Sequence, residues 1–261
     1  MKPSIFLTTP LLAVVLFCTG SCGGQNEKTN TNTDTTATTT TTATTADTTT
    51  KMNTPAATAP SAPTSTVTTT PQNMMVVQHK VANFNKWEMS YDAHDSMRMA
   101  SGVHNYVIGR GVKDTNMVLV ATKIDDLTKA KAFAKNASLK QAMQKGGVEG
   151  TPHMEFTTMT FQDTANINTD LRSRTTLMVK DWATWQRVFD STKQTRLDNG
   201  LMDRAYGHDA DNNHKVTVVV ALTDTAKAYA FWKSDQLKKI QAASGVTSKP
   251  ERFIYRVVKR Y

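Results

Sequence analysis

Apolar and polar positions fall into three regimes along this chain. Residues 5–17, from Ile5 to Phe17, are mostly apolar, broken by Thr8, Thr9 and Pro10. From Asn26 to about Gln72 large apolar residues almost vanish, and threonine, alanine and proline take their place. From Met74 onward the pattern becomes periodic. Stretches of period two alternate with stretches of period three to four, the spacings of strands and of amphipathic helices.

In that third region, Met74–Ala82 alternates and is rich in β-formers, which predicts a strand. Phe84 to Ser101 predicts one helix, with Phe84, Trp87, Tyr91, His94 and Arg98 on a single stripe and Gly102 at the position just past the end. Val103–Arg110 predicts a second strand, the residues from Lys113 to Asn116 a turn, and Met117–Ile124 a third strand. Asp125 or Asp126 caps a second helix running to about Ala134, which continues or restarts over Ser138–Lys145 before Gly146-Gly147. A last strand is expected over His153–Phe161.

The same order then recurs. Laying each residue on the one 98 positions later aligns Val81–Phe156 with Val179–Ile254 without a gap, and 19 of 76 pairs are identical. The matches include Trp87/Trp185, Arg98/Arg196, Gly102/Gly200, Gly109/Gly207 and Phe133/Phe231. Such a register marks a duplication. In the second copy strands are expected near Thr175–Lys180, Leu201–His208, Val216–Leu222 and Arg252–Lys259.

The β-α-β-β-α-β order is the split arrangement of the ferredoxin-like fold. The expected fold class is therefore α+β, with two tandem ferredoxin-like repeats at residues 73–162 and 174–261. One such unit leaves a sheet face bare, and its twin in the same chain can cover it, giving two sheets face to face. Val118, Leu119, Val120 and Ala121 are apolar on both strand faces, as a sheet covered on both sides requires. Pairing within the chain predicts a monomer in which neither repeat is stable alone.

The two earlier regimes set location. Residues 1–21 have the basic start, short apolar run and small residues of a signal peptide. The run is shorter than the roughly 20 apolar residues of a membrane span. Thr19-Gly20-Ser21 before Cys22 resembles a lipobox, with Thr19 where an aliphatic residue is usual. Lipidation at Cys22 would make the membrane a partner of the chain. Gly23-Gly24 lacks an aspartate resembling the inner-membrane retention signal, which favours the outer membrane. Residues 22–72 cannot bury enough apolar surface to offset their ordering entropy, so a disordered stalk is expected. About 50 such residues have an r.m.s. reach of roughly 40 Å. Its Asp34-Thr35-Thr36 and Asp47-Thr48-Thr49 triplets either resemble O-glycosylation sites or arise from composition alone.

The net charge of +9 is attractive to anions but says nothing of fold. The lysines are scattered over the expected helices rather than clustered with aromatics, and an exported, lipid-anchored chain is a poor partner for nucleic acid.

The periodic region resembles the dimeric α/β-barrel superfamily, which includes antibiotic-biosynthesis-monooxygenase-like proteins. The carriers are Phe84-x-x-Trp87, His94, Arg98 and Gly102, then Asp114-x-Asn116 before a strand. Ala130-x-Ala132-Phe133 with Leu139 and Gly147-Val148 completes them. The resemblance implies an intramolecular pseudo-dimeric barrel. It leaves activity open, because members include cofactor-free oxygenases, haem-binding enzymes and proteins of no established activity.

Candidate chemistry is concentrated in the first copy. His79, His94, His104 and His153 stand where the second copy has Leu177, Thr192, Met202 and Glu251. His79 shares a strand face with Val77 and Val81, and His94 lies on the helix stripe with Trp87, Tyr91 and Arg98. In an apolar cleft these residues would bind an anion, serve as a general base, or be hydrogen-bonded structural groups. Arg98 and Arg196 sit one turn before a helix end, where a cation stabilises terminal carbonyls, with ligand binding as the alternative role. Trp87 reads as a core anchor or, alternatively, as an aromatic wall of a ligand pocket, and with His79, Tyr91, His94 and Arg98 it completes the candidate ligand-binding or catalytic set. No close-spaced histidine pair calls for a metal, no motif calls for an organic cofactor, and the methionines suit adaptable packing. The expected role is small-molecule binding or an interaction surface. The alternative is a cofactor-independent monooxygenase or isomerase acting on a small hydrophobic or aromatic compound.

Overall fold

The computed structural model describes residues 66–261; the expected signal peptide, the expected lipidation site Cys22 and the expected stalk as far as residue 65 lie outside the described residues. The described residues form two similar units. The first has strands β1 (Val67–Thr68) and β2 (Gln72–Val81), then helices α1 (Phe84–Ala93) and α2 (Asp95–Ala100). Strands β3 (Val103–Gly111) and β4 (Met117–Ile124), helices α3 (Leu127–Ala134) and α4 (Ala137–Lys145), and strand β5 (Val148–Asp163) complete it. The second follows as β6 (Leu171–Met178), α5 (Trp182–Ser191), α6 (Lys193–Asp198), β7 (Leu201–Asp209) and β8 (Lys215–Leu222). It ends with α7 (Thr225–Lys233), α8 (Asp235–Ala243) and β9 (Glu251–Arg260).

Local chemistry repeats with the fold. Asn83 and Asp181 cap α1 and α5, Asp126 and Asp224 cap α3 and α7, and Asn136 and Ser234 cap α4 and α8. Each side-chain oxygen satisfies a backbone N–H that the helix leaves free. The helix expected over Phe84–Ser101 is instead two, divided at His94. His94 has φ −102° and ψ 21°, and its Nδ1 lies 2.6 Å from the Ser90 carbonyl four residues back. At the matching Thr192 the hydroxyl donates to the Val188 carbonyl at 2.8 Å. In both copies a side chain competes for the carbonyl that the next helical turn would use, and the helix breaks there.

Each unit's sheet has the ferredoxin-like order, β5-β2-β4-β3 and β9-β6-β8-β7. The two sheets are not stacked as separate layers. β3 pairs with β9 and β5 pairs with β7, both antiparallel, so the eight long strands close into one barrel. Closure satisfies the edge N–H and C=O groups that two separate twisted sheets would leave unpaired. It also explains the length of β5, which outruns the expected His153–Phe161 at both ends. β5 serves β2 from Val148 to Met159 and β7 from Thr157 to Gln162.

The matched glycines Gly109 and Gly207 sit on these seams. Gly109 pairs with Val257 of β9, and Gly207 with Met159 of β5. A Cβ at Gly207 would overlap the Thr158 backbone, and one at Gly109 the Tyr255 ring. The last part of the segment read as stalk also belongs to the folded body: Val67 and Thr68 pair with Asp163 and Gln162 of β5, and β2 begins at Gln72.

Strand alternation divides the apolar residues between two environments. Val118 and Val120 pack under the helices with Val81, Phe84 and Trp87, whereas Leu119 packs inside the barrel with Val76 and Tyr255. In the second unit Val216, Val218, Val220 and Leu222 pack under the helices with Trp185 and Phe231.

Candidate functional site

The outer face of the first sheet, under its helices, holds a cavity of about 60 Å³. β2 contributes Met75, Val77 and His79, and β4 contributes Val120 and Thr122. α1 presents Trp87, Ser90 and Tyr91, and the break and α2 add His94, Met97 and Arg98. Phe133, Leu139 and Met143 close it from α3 and α4. At about 10–15 Å³ per water, the space corresponds to roughly four to six waters. That suits a small molecule.

All five side chains singled out for chemistry, His79, Trp87, Tyr91, His94 and Arg98, line this one cavity. His79 is the most unusual of them. It is 4% exposed, and among the described residues neither ring nitrogen meets a hydrogen-bond partner. Burial pushes its pKa down to about 4, so the ring is neutral near pH 7. Its ring packs against that of Trp87, with centroids 5.4 Å apart. Buried polar atoms are normally paired, so an unpaired one calls for an explanation.

His94 is held by its contact with the Ser90 carbonyl. A carbonyl only accepts, so Nδ1 carries the proton and the neutral ring keeps its lone pair on Nε2.

Arg98 is a structural brace. Its Nη1 donates to the Tyr91 carbonyl at 2.7 Å, its Nε donates to Asn105 Oδ1 at 2.9 Å, and its guanidinium lies 3.7 Å over the Tyr91 ring. The carbonyl it takes is one that the break after α1 releases. The Tyr91 hydroxyl donates to the same Asn105 oxygen at 2.6 Å, and burial raises its pKa above the ordinary phenol value. In the second unit Arg196 plays this part with its Nε and Nη2 on the two Asp203 oxygens at 2.7 and 2.6 Å.

The other two first-copy histidines are not in the cavity. His104 Nε2 lies 2.8 Å from Asp125 at the surface, and exposed His153 lies 3.2 Å from Glu155. Among the described residues no three His, Cys, Asp or Glu side chains converge as a metal site would need. No helix among them is long and apolar enough to cross a membrane.

A second polar environment lies inside the barrel, and sequence reasoning did not find it. Arg174 donates to Glu155, and Lys215 Nζ donates to the same carboxylate at 2.6 Å. Burial by itself would raise the Glu155 pKa, but Arg174, Lys215 and His153 outweigh it and hold it at about 2. Arg172 is also buried, and desolvation brings it down to about 10 with Arg260 and Arg204 adding to the effect. The Arg172-Ser173-Arg174 run resembles an exposed edge in sequence. Only closure of the barrel turns its arginines inward.

Two ferredoxin-like units joined along both edges into a single barrel define the architecture. The chain has the dimeric α/β-barrel fold. A solved anthrone oxidase-like protein is similar over 73% of this chain and 92% of its own, at 10% identity and a TM-score of 0.51. A candidate monooxygenase from Fusobacterium nucleatum aligns over 72% of this chain and 93% of its own, at 14% identity and a TM-score of 0.49. A haem-binding protein from Thermus thermophilus aligns over 74% and 94%, at 9% identity and a TM-score of 0.48. No protein-family model and no curated protein matches the sequence.

Proposed function

We propose that the first-unit cavity binds a small, largely apolar molecule carrying one hydrogen-bonding group, and that His79 anchors that group. The carrying observation is the buried, neutral His79 with both ring nitrogens unpartnered. A neutral imidazole both donates and accepts, so it suits a hydroxyl or carbonyl compound. Trp87, Phe133, Leu139 and Met143 supply apolar and aromatic walls for the rest of the ligand. We further propose that the domain is a monomer displayed from the outer membrane through lipid on Cys22 and the Thr-rich stalk.

Mature protein and its His79→Leu variant, incubated with a bacterial small-molecule extract, provide the test. Mass spectrometry of the retained compounds should find species held by the parent and lost from the variant. Identical captured sets would reject the site. Incorporation of labelled palmitate, lost in Cys22→Ser, is the expected outcome for the anchor.

A second reading, a cofactor-independent monooxygenase or isomerase, draws on His94. Its fixed Nδ1–H leaves Nε2 as the basic atom of a side chain on the same cavity, the arrangement a general base needs. Under this reading, a captured compound incubated in air would be converted by the parent and not by His94→Ala. Retention without conversion would leave binding as the function.

A further inference from the structure

The second unit has its own cavity at the equivalent place, about 90 Å³, and its chemistry differs from the first. Leu177 and Thr192 replace the two histidines, and Phe189 replaces Tyr91. Arg252 and Trp232 stand where the first unit has Met154 and Ala134. Both new residues line the cavity.

Arg252 is the anomaly. It is half-buried, its Nε is shut off from solvent without an acceptor, and its guanidinium carbon stands 4.9 Å over the Trp232 ring. No carboxylate among the described residues pairs with it. The cavity's other cation, Arg196, is neutralised by the two-point contact with Asp203. Leu177, Trp185, Val218, Phe231 and Leu237 supply apolar walls, and the uncharged Thr175, Thr192, Gln241 and Ser244 complete the lining, so Arg252 is its one cation without a carboxylate among the described residues.

A partly desolvated cation without an anion is unfavourable, and a carboxylate relieves it through short charge-assisted hydrogen bonds. We infer that the second-unit cavity is a binding site for a small apolar monocarboxylate, with Arg252 holding the carboxylate and the aromatic and aliphatic walls holding the hydrocarbon. By the same reckoning of about 10–15 Å³ per water, the cavity holds roughly six to nine waters. That suits an acid of the size of hexanoate or benzoate.

The site is independent of the first-unit cavity, and its test separates the two. Tryptophan fluorescence and calorimetry on the mature chain would follow hexanoate and benzoate, with hexan-1-ol and benzyl alcohol as neutral counterparts. Each acid should bind about tenfold or more tightly than its alcohol, the factor expected for one charge-assisted hydrogen bond. Arg252→Met, which installs the first unit's residue, should abolish that preference while leaving alcohol binding and the thermal midpoint unchanged or raised. Arg252→Lys should retain part of the preference, and His79→Leu should leave it intact. Equal affinity for acid and alcohol in the parent, no acid binding, or an acid preference unchanged in Arg252→Met would overturn the inference. Loss of the preference in His79→Leu alone would also overturn it, by moving the acid to the other cavity.

Discussion

The imidazole of His79 lies 5.4 Å from the indole of Trp87, tilted by 54°, and neither of its nitrogens finds a hydrogen-bonding partner among the described residues. One residue comes from β2 and the other from α1, so the contact spans the interface between sheet and helices. At the same point in the second unit Leu177 belongs to the Trp185 core cluster, with an apolar side chain in place of the imidazole. The scaffold therefore tolerates leucine there, and the first unit departs from that solution.

His79→Leu should stabilise the protein at pH 7 by about 1–3 kcal/mol, the cost of burying unsatisfied polar atoms. It should also change the pH profile. The folded-state pKa of about 4 lies below the ordinary 6.5, so the unfolded chain binds the proton more readily. The associated stability is full above pH 6.5 and is lost as pH falls towards 4. Urea unfolding from pH 7 to 4 should show that slope in the parent and a shallower one in His79→Leu. A variant less stable than the parent at pH 7, with the slope intact, would show that His79 is structurally satisfied.

The two helix-end arginines should differ in cost. Arg196→Ala strands the buried Asp203 carboxylate and should destabilise by about 3–5 kcal/mol. Arg98→Ala leaves chiefly the neutral Asn105, which still accepts from Tyr91 and donates to Asp95 at 2.6 Å, since the 3.3 Å ion pair of Arg98 is with an Asp95 carboxylate already half in solvent. Its loss should be nearer 1–3 kcal/mol. Denaturant midpoints of the two variants would measure the difference, and equal losses would contradict the contrast between the charged and neutral partners.

Gly207→Ala should weaken one seam of the barrel. The added methyl meets the backbone of Thr158 and Met159, which cannot rotate aside, so a loss of about 1–3 kcal/mol or more is expected. Gly109→Ala meets a side chain, the Tyr255 ring, and should cost less. Hydrogen exchange should accelerate at amides of the β5–β7 ladder in Gly207→Ala while the β2–β4 ladder stays protected. Uniform acceleration would mean that the seam does not open separately.

Much of the fold was present in local pattern. The 98-residue register reproduces the helix and strand positions of the two units, because caps, turn glycines and apolar periodicity act over a few residues and were duplicated with them. The helix break was less accessible, since periodicity continues through His94 and only the side-chain contact with the Ser90 carbonyl interrupts the helix. His79 could be assigned to the apolar face of its strand by alternation alone. Its lack of a partner could not, because that depends on residues from α1, α3 and α4.

The sequence by itself determined the duplication, the element order, the strand face of His79 and the helix stripe that carries Trp87, Tyr91, His94 and Arg98. These follow from periods of two and three to four that each segment expresses alone. The tertiary structure decided the rest. It joined β3 to β9 and β5 to β7, turned Arg172 and Arg174 into a closed interior, and brought Arg252 over the Trp232 ring without a counter-charge among the described residues. Those outcomes depend on pairings between residues far apart in the chain, and no local period encodes which edge a strand meets or which charge is left without its opposite.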